Sequence, residues 1–396
     1  MGLRDWIGLT PTLPAFAARL AADAAKRGAG PWTVEDGGET LRGLTGVVSL
    51  RNMFGEYSQA PRRERPGLYE KYLLLLTIPV EVPTLWTVAQ TRLFPLVRSR
   101  ADMMLAATQA RLEGDTPWTV AERPLHGEVV VRLGYDTGPS IIPVRPDVLD
   151  GWGVSFEAAL ERAMTNLRSL PPPAWVTIAP GVWELQSEDA YQETFLLLPR
   201  AFDSLPATGG RYAIAPNRGV LLATTADAPG SLEALLDAAR SALRERPWPM
   251  SPVVFEITPS GPVAIRPDGA AGRKLGCCER LDRATVYSDQ QEILQKALGD
   301  DVYVASYGLV SGKSDPDEWV SWTSWTEGVP SLLPITDTLA LVRSPDRDPE
   351  TLQVRWEHAV QVVGALMQPI DEDPARFRVE QFPDAAQWAA LKELAV

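Results

Sequence analysis

The chain has 396 residues, 45% of them hydrophobic, with 38 Lys and Arg against 51 Asp and Glu for a formal net charge of -13. That composition supplies two or three domains with apolar cores, and excludes a disordered, collagen-like or disulfide-stapled chain. Residues 1–150 hold 17 basic and 17 acidic side chains, so residues 151–396 carry the whole deficit. An acidic surface of that kind repels polyphosphate, which argues against nucleic acid and anionic membranes as partners.

In chain order, the first legible element is a helix, where Leu13, Phe16, Ala17, Leu20, Ala21 and Ala24 recur at helical spacing before Gly28 and Gly30. A short strand at 47–50 precedes a helical stretch over 52–76 that Pro61 and Pro66 divide. Residues 87–112 predict a further helical stretch, kinked near Pro95. Strands follow at 128–132 and 140–144. Pro146 and the Gly151-Trp152-Gly153 turn then mark a boundary between an N-terminal region, 1–150, and an acidic C-terminal region, 151–396.

Beyond it, Ser155 caps a helix striped by Phe156, Leu160, Ala163 and Leu167, which Pro171 to Pro173 stop. Strands at 175–178 and 182–185 lead to a helix over 189–202. Hairpins at 212–225 and 253–265 flank a helix that Ser231 caps. Asp289 and Glu292 form a capping-box-like start to a helix ending near Gly299. Strands at 302–310, 318–326 and 338–343, a helix over 351–367, a strand at 376–380 and a helix over 385–394 complete the chain. Val220–Leu243 and Leu339–Leu366 share a strand–loop–helix order, so the C-terminal region reads as two related halves, 151–270 and 285–396. The fold class is α+β: a mixed, mainly helical N-terminal region, then a larger region of antiparallel sheets with packed helices.

A series of motifs runs through this order: Leu50-Arg51-Asn52-Met53-Phe54-Gly55-Glu56-Tyr57, Leu96-Val97-Arg98, Trp152-Gly153-Val154-Ser155, Ala215-Pro216-Asn217-Arg218, Trp325-Thr326-Glu327-Gly328-Val329 and Leu333-Pro334-Ile335-Thr336-Asp337. In them the chain resembles the bacterial YtpQ-like family of unknown function, from about residue 12 onward. The resemblance implies a soluble bacterial protein and brings no catalytic residues and no cofactor with it.

Candidate chemistry is sparse. Cys277 and Cys278, the two cysteines, are adjacent and read as small buried hydrophobes; Lys274 and Arg280 beside them are the features that would activate a thiol. Two cysteines and the lone His126 and His358 match no zinc spacing, so no metal and no cofactor are expected. Gly312-Lys313-Ser314 ends like a phosphate loop, but its glycine spacing and the following acidic run fit a turn better. Arg62, Arg63, Arg65 and Lys71 form a basic cluster that Glu64 and Glu70 offset. The longest aliphatic run, Leu73 to Leu76, is far short of a span, and the start lacks a secretory pattern, so the expectation is cytoplasmic, without membrane insertion.

The most informative segment is Trp319-Val320-Ser321-Trp322-Thr323-Ser324-Trp325. On a strand, Trp319 and Trp325 share one face and Trp322 the other, with Tyr303 and Tyr307 on a neighbouring strand. These residues, with Glu327, predict an aromatic sheet face that binds another protein or peptide, and no enzyme. The alternative is a hydrolase-like enzyme in which Glu327 and Asp337 converge with Arg98 or Arg218. A third reading is a small-molecule sensor with its pocket between the two regions.

Overall fold

The helix expected near the N-terminus forms over Leu13–Lys26 in the computed structural model, which describes residues 10–43, 46–77, 81–117, 119–138, 140–187, 191–206, 209–311, 319–343 and 349–396. The opening Met1–Trp6 segment and Gly312-Lys313-Ser314 lie outside the described residues. The helix buries Phe16, Ala17, Leu20, Ala21 and Ala24 against Tyr57 of the helix Arg51–Gln59 and Tyr69, Tyr72 and Leu73 of the helix Arg65–Thr77. A three-stranded antiparallel sheet, Trp32–Glu35, Thr40–Gly43 and Gly46–Ser49, adds Leu41 to this cluster.

Residues 93–99 correct the expected kinked helix. Leu93–Ser99 is a strand that pairs antiparallel with Val129–Asp136, placing Pro95 opposite Leu133. It is an edge strand of a four-stranded sheet, where a proline's missing N–H costs no ladder bond. Helix resumes only at Ala101–Glu113.

The core of this sheet runs past residue 150. Leu149 and Trp152 of the helix Pro146–Trp152 share one cluster with Ala159, Leu160 and Ala163 of the helix Phe156–Ser169. Gly153, at a φ of 65°, turns the chain between those helices, and Ser155 Oγ accepts the Ala158 N–H at 3.3 Å as the predicted cap. The turn therefore joins two helices of one core.

Next comes a six-stranded antiparallel sheet in the order Gly261–Ile265, Val254–Thr258, Arg211–Ile214, Leu222–Thr225, Val182–Gln186, Ala174–Ala179. The described part of the helix expected over 189–202 is two 3-10 turns, Gln192–Leu197 and Pro199–Phe202, because Pro199 lacks the N–H that a continuous helix needs. Asp289 is not a helix start either. It lies inside the helix Gly269–Leu298, whose 30 residues span about 45 Å. Gly272 and Gly276 blur its periodicity, and its buried face changes partner: Ala271, Leu275 and Cys278 meet the six-stranded sheet's cluster, while Leu294 meets a C-terminal one.

The C-terminal part holds two four-stranded sheets, Tyr303–Val304/Ser331–Pro334/Arg376–Val379/Gln368–Pro369 and Gly308–Ser311/Trp319–Thr326/Thr338–Arg343/Glu350–Arg355. The strand expected over 302–310 thus splits between both. Residues 350–355 are a strand, so the helix expected over 351–367 is Trp356–Val363, and the stretch 339–366 has a strand that 220–243 lacks. The fold is α+β with helices on mainly antiparallel sheets, as the pattern predicted, although Tyr303–Val304 runs parallel to Ser331–Pro334 and Trp319–Thr326 parallel to Thr338–Arg343. Among the described residues, no helix is long and apolar enough to cross a membrane.

Candidate functional site

A cleft of about 560 Å³ opens where the N-terminal part, the six-stranded sheet's loops and the middle of the helix Gly269–Leu298 meet. Its cationic wall starts with Arg98. Both faces of the strand Leu93–Ser99 are covered, so Arg98 is carried inside at 8% exposure. Its Nη1 donates to the Val97 carbonyl at 2.8 Å and to Glu193 Oε1. Glu193 is fully buried, and its Oε2 accepts the Gly219 N–H at 2.8 Å, which ties Arg98 to the residue beside Arg218.

Arg218 is placed by backbone. Its N–H donates to the Trp248 carbonyl at 2.8 Å, the Met250 N–H to the Pro216 carbonyl at 2.7 Å, and the Asn217 amide to the Arg246 and Pro247 carbonyls at 3.1 Å each. The two loops zip together, and the Arg218 guanidinium lies 4.7 Å above the Trp248 ring. Trp248 holds a φ of 61°, a region that costs a bulky residue about 1–3 kcal/mol and that such sites retain. Asn52 Oδ1 accepts its N–H at 3.4 Å. Asp102 then faces two guanidiniums, accepting from Arg132 Nη1 at 3.0 Å and Arg218 Nη2 at 3.4 Å.

Compensation on this wall is incomplete. The Arg218 side chain keeps 39% of its surface open to the cleft, yet the walls strip away bulk solvent. Burial first, and then the charge of Arg98, push its pKa down to about 10 against the pull of Asp102 and Glu193. Arg51, at the cleft's edge, is spoken for: it binds Glu39 at 2.6 Å, Glu292 at 2.7 Å and Asp289 at 3.2 Å.

The helix Gly269–Leu298 supplies a different wall, with Asp282, Thr285, Ser288 and Asp289 along the cleft. Asp282 makes no hydrogen bond or ion pair among the described residues. Burial pushes its carboxyl up to about 7; Glu128 and Glu279 add to this and Arg283 opposes it. The folded protein therefore holds a proton that the unfolded chain releases, so this group lowers stability as pH rises from about 4 to about 7 and keeps its full cost above that. Asp282→Asn is expected to gain about 1–3 kcal/mol at pH 8 and nothing at pH 4, read by urea unfolding at both. An equal change at both pH values would show that the native carboxyl titrates normally.

No family model, curated protein or solved structure matches the chain. The arrangement must be read from its own residues. Three separate segments of the chain each send an arginine to this cleft, namely Arg51, Arg98 and Arg218.

The aromatic residues are placed otherwise than expected. Trp319–Thr326 is a strand with the predicted alternation, but the row of Trp319, Ser321, Thr323 and Trp325 faces the core. Trp325 is 1% exposed, packed edge-on to Phe382 at 5.9 Å, so it offers nothing to a partner. Trp322 faces outward at 42% exposure. Tyr303 is exposed on the other sheet, while Tyr307 stacks on Tyr287 at 5.2 Å.

Glu327 and Asp337 do not converge. Asp337 binds Ser321, whereas Glu327 follows the far end of the same strand, six residues and about 20 Å away. Asp337 is structural: its carboxylate accepts from Arg280 at 2.7 and 2.9 Å and from the Ser321 N–H and Oγ at 2.7 Å each. Burial raises its pKa, but those hydrogen bonds outweigh it and hold the carboxyl below its usual range. Arg280 is bonded to Asp337, and Lys274 to Asp237 at 2.8 Å. Burial pushes Cys278 up to about 12. Among the described residues, no group of three or more His, Cys, Asp or Glu side chains could hold a metal ion.

Proposed function

We propose that the protein binds a small anion-bearing molecule in the cleft where its N-terminal part, the loops of the six-stranded sheet and the helix Gly269–Leu298 meet, as a cytoplasmic ligand-binding protein. The observation that carries this is the Arg98–Arg218 pair, two guanidiniums on one wall that Asp102 and Glu193 do not fully compensate. Among the described residues Arg98 Nε and Nη2 find no acceptor, and a carboxylate or phosphate there accepts charge-assisted hydrogen bonds from them. A concave site in which charged groups from several elements converge beside one aromatic ring suits a small polar ligand. The hydrolase-like alternative has lost its carboxylate pair.

Calorimetric titration with inorganic phosphate and straight-chain carboxylates tests this. Arg218→Ala is expected to weaken binding about 10- to 100-fold, the worth of one charge-assisted hydrogen bond or two. Failure of every such anion to bind the unaltered protein removes the reading.

A second reading, capture of a protein or peptide, retains one supporting observation. Val310, Val320 and Trp322 share the outward face of the sheet at 56%, 39% and 42% exposure, and Val310 sits directly opposite Val320. Trp322→Ser is expected to leave anion binding unchanged, and a co-purifying protein lost on that substitution alone would favour this second reading.

A further inference from the structure

Resting on the anion-binding reading, we propose that the natural ligand is a zwitterion, its anionic group held by Arg98 and Arg218 and an ammonium group by Asp282. The cleft has two electrostatically separate ends. The charges acting on Arg218 are those of Arg98, Arg132, Asp102 and Glu193; those acting on Asp282 are Arg283 and Glu279 from its own helix and Glu128 from the turn before the strand Val129–Asp136. At the first end Asp102, shared with Arg132, and Glu193 offset the guanidiniums in part; at the second no cation is bonded to Asp282 among the described residues. Asp282 lines the cleft with no hydrogen bond or ion pair among the described residues, so an ammonium donating to it meets no competing partner and draws the carboxyl into its ionised form.

The charge of the whole chain points the same way. At a net -13, the protein repels a ligand of net negative charge at long range, whereas a ligand of net zero charge meets no such barrier. Free ω-amino acids and short peptides, carrying one carboxylate and one ammonium at a set spacing, are the simplest members of this class. Thr285 and Ser288, on the same helical wall, supply hydroxyls between charged groups for a polar ligand body.

The test is a calorimetric series in which ω-amino acids of increasing chain length are compared with alkanoates of the same length, on the unaltered protein and on Asp282→Asn. At the length that spans the cleft, the ω-amino acid is expected to bind about tenfold tighter than its alkanoate. Asp282→Asn should erase that preference and keep the alkanoate affinity. Equal affinity for both series at every length, or a preference that survives in Asp282→Asn, overturns the zwitterion assignment and leaves the anion site standing. If neither series nor phosphate binds, the anion site itself fails, and the two failures are told apart by that control.

Discussion

Replacing Arg376 with leucine is expected to cost about 3–5 kcal/mol of stability, the range for stripping the partner from a buried charged network. Arg376 stands in the strand Arg376–Val379 with no exposed surface at all. Its Nε donates to Gln290 Oε1 at 2.6 Å, its Nη1 to the carbonyls of Ala305 and Leu332 at 2.8 and 3.2 Å, and its Nη2 to the Tyr287 carbonyl at 3.0 Å. Among the described residues no carboxylate is bonded to it, and burial drives its pKa down to about 10. One guanidinium therefore satisfies acceptors on the long helix, on the segment linking two sheets and on the strand Ser331–Pro334. Leucine fills part of the volume but removes the side-chain donor from four buried oxygens. The Leu332 carbonyl keeps the Ala305 N–H at 3.0 Å and the Tyr287 carbonyl keeps its place in the helix. Gln290 Oε1 and the Ala305 carbonyl therefore bear most of the loss, each about 1–3 kcal/mol before relaxation and before the relief of the buried charge. Denaturant unfolding reads the loss as a lower midpoint at unchanged slope. A shift below about 1 kcal/mol would mean that water reaches those carbonyls once the arginine is gone.

How much of this was legible from sequence depends on the range of the interaction involved. The strand Trp319–Thr326 could be read directly, because period-two alternation is local, but which row faces the core is decided by Phe382 and Trp388, some 60 residues on. Two tryptophans and the aromatic pocket that seals one of them outweigh a single indole, so the richer row went inward. Arg98 and Arg218 stand out in the sequence as candidates, whereas Glu193, Asp102, Trp248 and Asp282 do not. Their roles depend on contacts across 26 to 116 positions of sequence, as in Glu193 with Gly219 and Asp102 with Arg218. The signal for Trp248 was its place in Pro247-Trp248-Pro249, since flanking prolines restrict a backbone to a few conformations. For Asp282 no local signal exists: its burial follows from a helix whose start, at Gly269, glycines and a cysteine pair obscured.

The long helix explains why the cleft sits where it does. Its first turns belong to the six-stranded sheet's cluster, and one face of its later turns, with Arg280, Tyr287 and Gln290, binds the C-terminal sheets, leaving the face with Asp282 and Asp289 to line the cleft. There the helix Ala101–Glu113 approaches, headed by Asp102, and the gap left between them is polar because charged residues line it from several elements. A gap between packed apolar clusters fills with whatever satisfies its lining, which is water or a ligand of matching charge.

Glu193 is where the stability of the fold and the affinity of the cleft oppose each other. Glu193→Ala is expected to cost about 3–5 kcal/mol, because Arg98 stays buried without its carboxylate and the Gly219 N–H loses its acceptor. Glu193→Gln keeps an acceptor and the shape but removes the negative charge, so its expected cost is smaller, about 2–3 kcal/mol. The consequence for ligand binding has the opposite sign. With Glu193 neutral, Arg98 and Arg218 repel each other more strongly, and an anion in the cleft relieves more energy than it does in the unaltered protein. Phosphate should therefore raise the melting temperature of Glu193→Gln more steeply with concentration than that of the parent, since stabilisation by a ligand grows with its concentration over its dissociation constant. Parallel curves for the two proteins would place the anion elsewhere than beside Arg98. A steeper curve for the glutamine variant, lost again on adding Arg218→Ala, would locate it between the two arginines.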